Sequence, residues 1–142
     1  MNTGRWRFRT AGLLAAACLG LSGCQEQPVP NSGTVRFTAS GDLGMGPGAR
    51  QVLDVVARLK PDFNVALGDF SYKAGAEQDF CRMVTRKLGP DFPFQLITGN
   101  HESDGHDGLI ANFARCLPNR LSGLQGEYGV QWYVDVPQER PL

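Results

Sequence analysis

The sequence has few cysteines, few histidines and no excess of either charge. Four cysteines, two histidines and 14 basic against 14 acidic side chains are spread over 142 residues. The balanced charge argues against a nucleic-acid partner, because a polyanion-binding surface needs clustered Lys and Arg. Heptads, collagen-like periods and low-complexity tracts are also absent, which excludes fibrous and repeat architectures. What remains is the composition of an ordinary globular protein of one domain at most.

A short apolar run near the N-terminus predicts a secretory leader. Arg5, Arg7 and Arg9 precede the apolar residues 11–21. That run of about eleven residues fits the core of a signal peptide and falls well short of the roughly twenty that a membrane-spanning helix needs. We therefore interpret residues 1–23 as a signal peptide that is absent from the mature protein.

The end of this leader resembles a bacterial lipobox. Leu21-Ser22-Gly23-Cys24 places small residues directly before a cysteine, and lipobox processing leaves that cysteine as an acylated N-terminus. Cys24 is therefore the predicted lipidation site, and several acyl chains on one residue anchor a protein stably. The resemblance implies an extracytoplasmic, membrane-anchored bacterial lipoprotein, at the cell surface or in the periplasm. The alternative is a secretory peptide without lipid.

Residues 24–33 are predicted to be a flexible tether between this anchor and the folded domain. They contain two prolines and show no apolar periodicity, a combination typical of an extended linker. The remaining chain, residues 34–142, is the predicted domain.

Two cysteines remain once Cys18 leaves with the leader and Cys24 is acylated. Cys81 and Cys116 are the disulfide candidates, because the predicted compartment is oxidising. The alternative is two separately buried thiols, and the sequence leaves this choice open.

The domain repeats a strand, a polar loop and a helix three times. The predicted strands are residues 34–39, 63–67 and 94–98, and apolar residues at helical spacing follow each of them. The helical positions are Ala49, Val52, Leu53, Val56 and Leu59, then Ala76, Phe80, Val84 and Leu88, then Leu109, Ile110, Phe113 and Leu117. This alternation predicts an α/β fold with a mainly parallel sheet.

Each predicted strand ends in a glycine followed by a polar residue, namely Asp42, Asp69 or Asn100. The loops at the carboxyl ends of parallel strands gather along one edge of the sheet, so we expect these side chains to converge. Their oxygens are hard metal ligands, and a carboxylate can bridge two ions about 3.5–4 Å apart. Asp69, in the middle unit, is the predicted bridge. His101, beside Asn100, could donate a proton to a leaving alkoxide.

These loop sequences together resemble a known family. In chain order they are Gly41-Asp42-Leu43-Gly44, Gly68-Asp69-Phe70-Ser71-Tyr72 and Gly99-Asn100-His101-Glu102. In this order and at this spacing they resemble the first three motifs of the calcineurin-like metallophosphoesterase superfamily. The resemblance covers residues 34–136, of which residues 128–136 look like the strand after the third motif. It implies the N-terminal half of a four-layer α/β/β/α sandwich.

Two linked details are similar to the purple acid phosphatase branch of that superfamily. Many members have a metal-binding histidine two residues after the first aspartate, where this chain has a glycine. Tyr72 stands three residues after Asp69, where purple acid phosphatases place a tyrosinate on ferric iron; the alternative is a packed aromatic near a turn. Carried over by position, the resemblance implies Asp42 and Tyr72 on the first metal, Asp69 as the bridge, Asn100 on the second metal and His101 as the catalytic neighbour.

The sequence departs from the family pattern towards its C-terminus. The family completes its site with three further histidines in two later motifs, whereas this chain has only His101 and His106. His106 is expected to be a solvated loop residue. We therefore expect the residues present to form about half of a coordination shell. The simplest explanation is that the sequence is a truncated gene product or part of a longer protein. The role of Glu102 is open between positioning His101 and capping the following segment.

The resemblance implies a hydrolase, a metal-dependent phosphoesterase whose substrate is a small phosphate ester, with phosphomonoesters favoured. Its implied cofactors are two metal ions, Fe³⁺ together with Fe²⁺, Zn²⁺ or Mn²⁺. The expected partners are that substrate and, through the lipid anchor, a membrane, while the oligomeric state is open. The missing histidines put the activity of this chain in doubt. The alternative is a non-catalytic surface lipoprotein that keeps the fold as a binding or structural module.

Overall fold

The computed structural model describes residues 34–135 of the chain, so the predicted signal peptide, the lipidation site Cys24 and the tether lie outside the described residues. The elements are β1 Phe37–Ser40, α1 Pro47–Leu59, β2 Phe63–Ala66, α2 Glu77–Leu88, β3 Phe94–Leu96, α3 Asn100–Ser103, α4 Ile110–Cys116, β4 Gln125–Glu127 and β5 Gln131–Tyr133. Strands β1, β2 and β3 form a parallel sheet in that order. The predicted α/β fold with parallel strands alternating with helices is confirmed.

Helices α1 and α2 form where apolar side chains recur every three or four residues. Pro47 opens α1, where its missing N–H costs no helical hydrogen bond. The same helix ends at Lys60, whose left-handed backbone (φ 48°) lets its N–H bond to the carbonyl of Val56. In the described region no helix is long and apolar enough to cross a membrane.

An aromatic cluster forms the centre of the core. Phe70 packs against Phe80 and Phe113, with ring centroids 5.6 and 5.0 Å apart, and Phe80 also reaches Phe94 of β3 at 6.4 Å. Burying one such ring contributes about 1.5–3 kcal/mol. Because Phe70 directly follows Asp69, the core anchors the loop that carries the second motif.

A disulfide joins α2 to the end of α4. Cys81 and Cys116 form it, with their Cα atoms 5.9 Å apart and a sequence separation of 35. The structure thus pairs the two cysteines whose bonding the sequence left open, and the bond holds α4 beside α2.

The segment predicted as a strand over residues 128–136 contains β5, which pairs antiparallel with β4 immediately before the segment. Its side chains bond to the outer edge of β3, and just beyond β3 the Thr98 N–H donates to the Gly129 carbonyl at 2.6 Å, where Ile97 and Gly129 form a parallel bridge. The Leu96 N–H donates to the hydroxyl of Tyr128 at 3.2 Å, and the indole N–H of Trp132 donates to the Leu96 carbonyl at 2.8 Å. The predicted strand is therefore present as β5, and its contact with the parallel sheet is limited to these bonds and the one bridge.

Candidate metal centre

The loops after β1 and β2 place two carboxylates beside one phenol. The Tyr72 hydroxyl donates to Oδ1 of Asp42 at 2.9 Å and lies 3.4 Å from Oδ2 of Asp69. The register of the sheet pairs Ser40 with Ala66, so the two strands end level with each other. The structure therefore brings together three of the four residues predicted as metal ligands.

The third loop reaches the same point through its backbone. The N–H of His101 donates to Oδ1 of Asp69 at 3.3 Å, which places the first turn of α3 beside that carboxylate. Asn100 is exposed, and among residues 34–135 no hydrogen-bond partner is found for its side chain. Asn100, the fourth predicted ligand, thus lies next to the cluster through its neighbour His101, but its side chain makes no hydrogen bond to the clustered residues in the described part of the chain.

The three clustered side chains stand on unusual backbone. Asp42, Asp69 and Tyr72 have φ values of 52°, 57° and 52°, in the left-handed region that residues other than glycine rarely adopt. The fourth such residue in the described part is Lys60, which ends α1. Backbone of this kind costs about 1–3 kcal/mol per residue and collects at functional sites, where the surrounding structure holds it.

Two glycines allow the loops after β2 and β3 to touch. A Cβ on Gly68 would overlap the backbone nitrogen of Gly99, and a Cβ on Gly99 would overlap Oδ1 of Asp69 and lie 2.7 Å from its nitrogen. Real Cβ atoms do not approach other atoms so closely. A side chain at Gly68 would therefore push the two loops apart, and one at Gly99 would displace the Asp69 carboxylate.

A buried carboxylate links the same two loops. Glu102 is 3% exposed. Its Oε1 accepts the N–H of Phe70 at 2.8 Å, and its Oε2 accepts those of Asp69 and Gly99 at 2.9 and 3.1 Å. The bond to Gly99 is the capping-box contact of α3, which an acidic residue three positions after the N-cap indicates in sequence. No sequence pattern indicates the two hydrogen bonds from Asp69 and Phe70 to Glu102.

Asp107 holds the imidazole of His101. Its Oδ2 bonds to Nδ1 of the ring, and its backbone N–H donates to the His101 carbonyl at 3.2 Å. This hydrogen bond raises the pKa of His101 above 6.5 and lowers the pKa of Asp107 below 3.8. The imidazole also meets the Tyr72 ring edge-on, with centroids 4.5 Å apart. The pairing of Asp107 with His101 could not be predicted from the sequence, because no periodic pattern relates the two residues.

The environment of Tyr72 raises the pKa of its phenol to about 12. Loss of hydration is the largest cause, followed by the hydrogen bond to Asp42 and by the negative charges of Asp42 and Asp69. At neutral pH the phenol therefore keeps its proton and donates it to Asp42. A cation bound among these oxygens would instead favour loss of the Tyr72 proton, because positive charge stabilises the phenolate.

This donor set suits one hard cation. Two carboxylates and a phenol supply oxygen ligands of the kind that iron, manganese and similar ions accept. Within the described range of 34–135, no three His, Cys, Asp or Glu side chains are grouped to hold a metal, so the Tyr72 oxygen is needed for a third ligand. The three residues fit one metal position, and they do not complete a second one.

Comparison with known protein families identifies a related family. A family model described as calcineurin-like phosphoesterase matches residues 35–139. That span includes Asp42, Asp69, Tyr72, Asn100 and His101. No curated protein and no solved structure matches the chain significantly.

Proposed function

We propose a function from the premise that this chain belongs to the calcineurin-like phosphoesterase family, as the match over residues 35–139 establishes. The family indicates a metal-dependent phosphoesterase with a phosphate ester as substrate. The finer proposal is a purple acid phosphatase-like hydrolase that cleaves phosphomonoesters at a dinuclear centre of Fe³⁺ with Fe²⁺, Zn²⁺ or Mn²⁺.

One observation carries the finer proposal. The Tyr72 phenol lies 2.9 Å from Asp42 and 3.4 Å from Asp69, so it stands where it can share a cation with both carboxylates. This supports Tyr72 as a ligand in the place of the histidine that the first motif lacks. Asp42 and Tyr72 would hold the first ion, Asp69 would bridge, and Asn100 would serve the second ion.

When bound, the metal ions would supply Lewis-acid polarisation of the phosphoryl group and activation of water. The protein's own acid is His101. Because Asp107 raises the pKa of His101 above 6.5, its imidazole is protonated at mildly acidic pH and can donate to the leaving alkoxide. With Nδ1 bonded to Asp107, Nε2 is the nitrogen available to face a substrate.

The location is proposed from the N-terminal sequence. Residues 1–23 and Cys24 have the pattern of a lipoprotein leader, and an acylated Cys24 would anchor the domain to a membrane outside the cytoplasm. The disulfide between Cys81 and Cys116 supports an oxidising compartment.

Hydrolysis of p-nitrophenyl phosphate by the iron-loaded protein tests the function. Turnover in the wild type that falls to background in Asp69→Ala would support the function. Asp54→Ala is the control, because Asp54 pairs with Lys87 between α1 and α2 and lies outside the cluster. A faster reaction with bis(p-nitrophenyl) phosphate would overturn the preference for phosphomonoesters, and equal turnover of wild type and Asp69→Ala would refute the assigned bridge.

A non-catalytic binding module is the second candidate. It is favoured by the finding that the described residues group no three His, Cys, Asp or Glu side chains for a metal. Calorimetry with inorganic phosphate, run with and without Mn²⁺ beside the turnover assay, separates the two, because a module would bind phosphate without Mn²⁺ and show no turnover.

A further inference from the structure

We propose that Glu102 is a positioning residue that fixes Asp69 relative to the loop of Asn100 and His101. This inference rests on the proposed function, since it concerns the residues to which metal binding is assigned. Glu102 would touch neither metal nor substrate, and its effect would pass through the backbone that carries the ligands.

The contacts of Glu102 span both loops. It lies in α3, and its side chain reaches back to accept the N–H groups of Asp69 at 2.9 Å and Phe70 at 2.8 Å, 33 and 32 residues earlier in the chain. The same carboxylate accepts the N–H of Gly99 at 3.1 Å. One side chain therefore joins the end of β2 to the end of β3.

The three donors require a carboxylate. Ionised Glu accepts hydrogen bonds at both oxygens, whereas the amide of Gln accepts at one and donates at the other. In Glu102→Gln, either Phe70 alone or the pair of Asp69 and Gly99 would face an NH₂ group. Because Glu102 is 3% exposed, water is poorly placed to substitute for the lost acceptor.

Asp69 is held between this carboxylate and the core. Its backbone is left-handed, with φ 57°, and Phe70 immediately after it is fully buried in the aromatic cluster. Glu102 binds the N–H groups of both residues, so it fixes the peptide from which the Asp69 carboxylate projects. Residues that orient metal ligands in this way typically change metal affinity by about 10- to 100-fold when altered.

The chain contains a matched control. Glu77 is also buried, at 8% exposure, and its Oε1 accepts the N–H of Leu109 at 3.3 Å and the side-chain N–H of Asn112 at 2.9 Å. It therefore joins α2 to α4 as Glu102 joins the two loops, without a contact to Asp69. Glu77→Gln should cost stability and leave the candidate metal centre unchanged.

The experiment compares the full chain with its Glu102→Gln and Glu77→Gln variants. Amide hydrogen exchange is followed by NMR at Asp69, Phe70 and Gly99, and affinity for Mn²⁺ alone is measured by calorimetry. We expect Glu102→Gln to speed exchange at these amides about tenfold or more and to weaken Mn²⁺ binding about 10- to 100-fold. Glu77→Gln should leave both readouts within about twofold of the wild type.

Three results would overturn the proposal. The first is unchanged exchange at Asp69 and Phe70 in Glu102→Gln; the second is faster exchange with unchanged Mn²⁺ affinity, which would make Glu102 purely structural. If Glu102→Gln does not fold, the test is made on the wild type alone. The third overturning result is that the amides of Asp69, Phe70 and Gly99 in the wild type exchange as fast as those of an unprotected peptide. A wild type that binds no Mn²⁺ would refute the proposed metal site, while the exchange arm would still decide whether Glu102 fixes the loops.

Discussion

The hydroxyl of Tyr72 donates a hydrogen bond to the carboxylate of Asp42, which lies 30 residues earlier in the chain and follows a different strand. The two residues share a left-handed backbone, and Asp69, the third left-handed residue of the cluster, approaches the same phenol oxygen. Folding of the parallel sheet therefore assembles oxygen donors that no local segment could provide.

Gly99→Ala should disrupt the candidate metal centre. The new Cβ would overlap Oδ1 of Asp69, so we expect a loss of about 1–3 kcal/mol in the free energy of unfolding and a loss of Mn²⁺ binding. Gly48→Ala is the control, because a Cβ there meets no atom within 4 Å and alanine favours α1 by up to about 1 kcal/mol. Urea unfolding and Mn²⁺ calorimetry measure both effects; normal binding by Gly99→Ala would show that the loops can separate freely.

Glu77 should make stability depend on pH in the acid range. The hydrogen bond from Asn112 is the main cause that lowers the pKa of Glu77 below 4.5. A lowered folded-state pKa stabilises the protein above the unfolded-state pKa, and that contribution is lost as the pH falls through the folded-state value. Gln keeps an acceptor for both donors but replaces a charged oxygen by a neutral one, so Glu77→Gln should cost about 1 kcal/mol at pH 7. This cost should shrink as the pH falls below 4.5. Urea unfolding at several pH values checks this, and a constant difference would contradict it.

Asp107→Asn should lower the pKa of His101. The hydrogen bond to Asp107 is the main cause that raises this pKa above 6.5. This bond therefore stabilises the folded protein below pH 6.5, and the stabilisation is lost as the pH rises through the folded-state pKa of His101. NMR titration of the imidazole measures the midpoint. Because the chain has two histidines, the experiment is done in a His106→Ala background, which leaves one ring to assign. An unchanged midpoint in Asp107→Asn would show that Asp107 does not hold the ring in solution.

Removing the disulfide should destabilise the domain without removing its metal ligands. Cys81 and Cys116 close a loop with a sequence separation of 35, for which loop-closure entropy gives about 4 kcal/mol, with about 2–4 typical of measured disulfides. We expect the substitution of both cysteines by serine to lower the free energy of unfolding by about 2–4 kcal/mol. Urea unfolding with and without a reductant tests it, since the reductant should affect only the wild type.

The repeated strands and helices could be predicted because their signals are local. Leu53 and Val56 are buried on the face that their spacing in α1 predicts, and the polar residues Asp42 and Asp69 follow strands whose parallel pairing levels their ends. The convergence of the first two motifs thus follows from alternation alone.

The contacts that organise the centre could not be predicted in this way. Glu102 reaches amides 32 and 33 residues away, and Tyr128 and Trp132 bond to Leu96 across 32 and 36 residues. Such pairings depend on how loops close in three dimensions and leave no period in the sequence. For the same reason the sequence predicts a strand within residues 128–136, where β5 lies, but not its antiparallel pairing with β4.

Binding of ferric iron by Tyr72 is best tested by visible spectroscopy of the protein titrated with Fe³⁺. A tyrosinate ligand gives a visible absorption band, which we expect in the wild type and in Tyr133→Phe, because the Tyr133 hydroxyl bonds to Gln125 in the hairpin. Tyr72→Phe should lose the band. An equal band in Tyr72→Phe, or no band in the wild type under conditions where iron is bound, would contradict the shared site of Asp42, Asp69 and Tyr72.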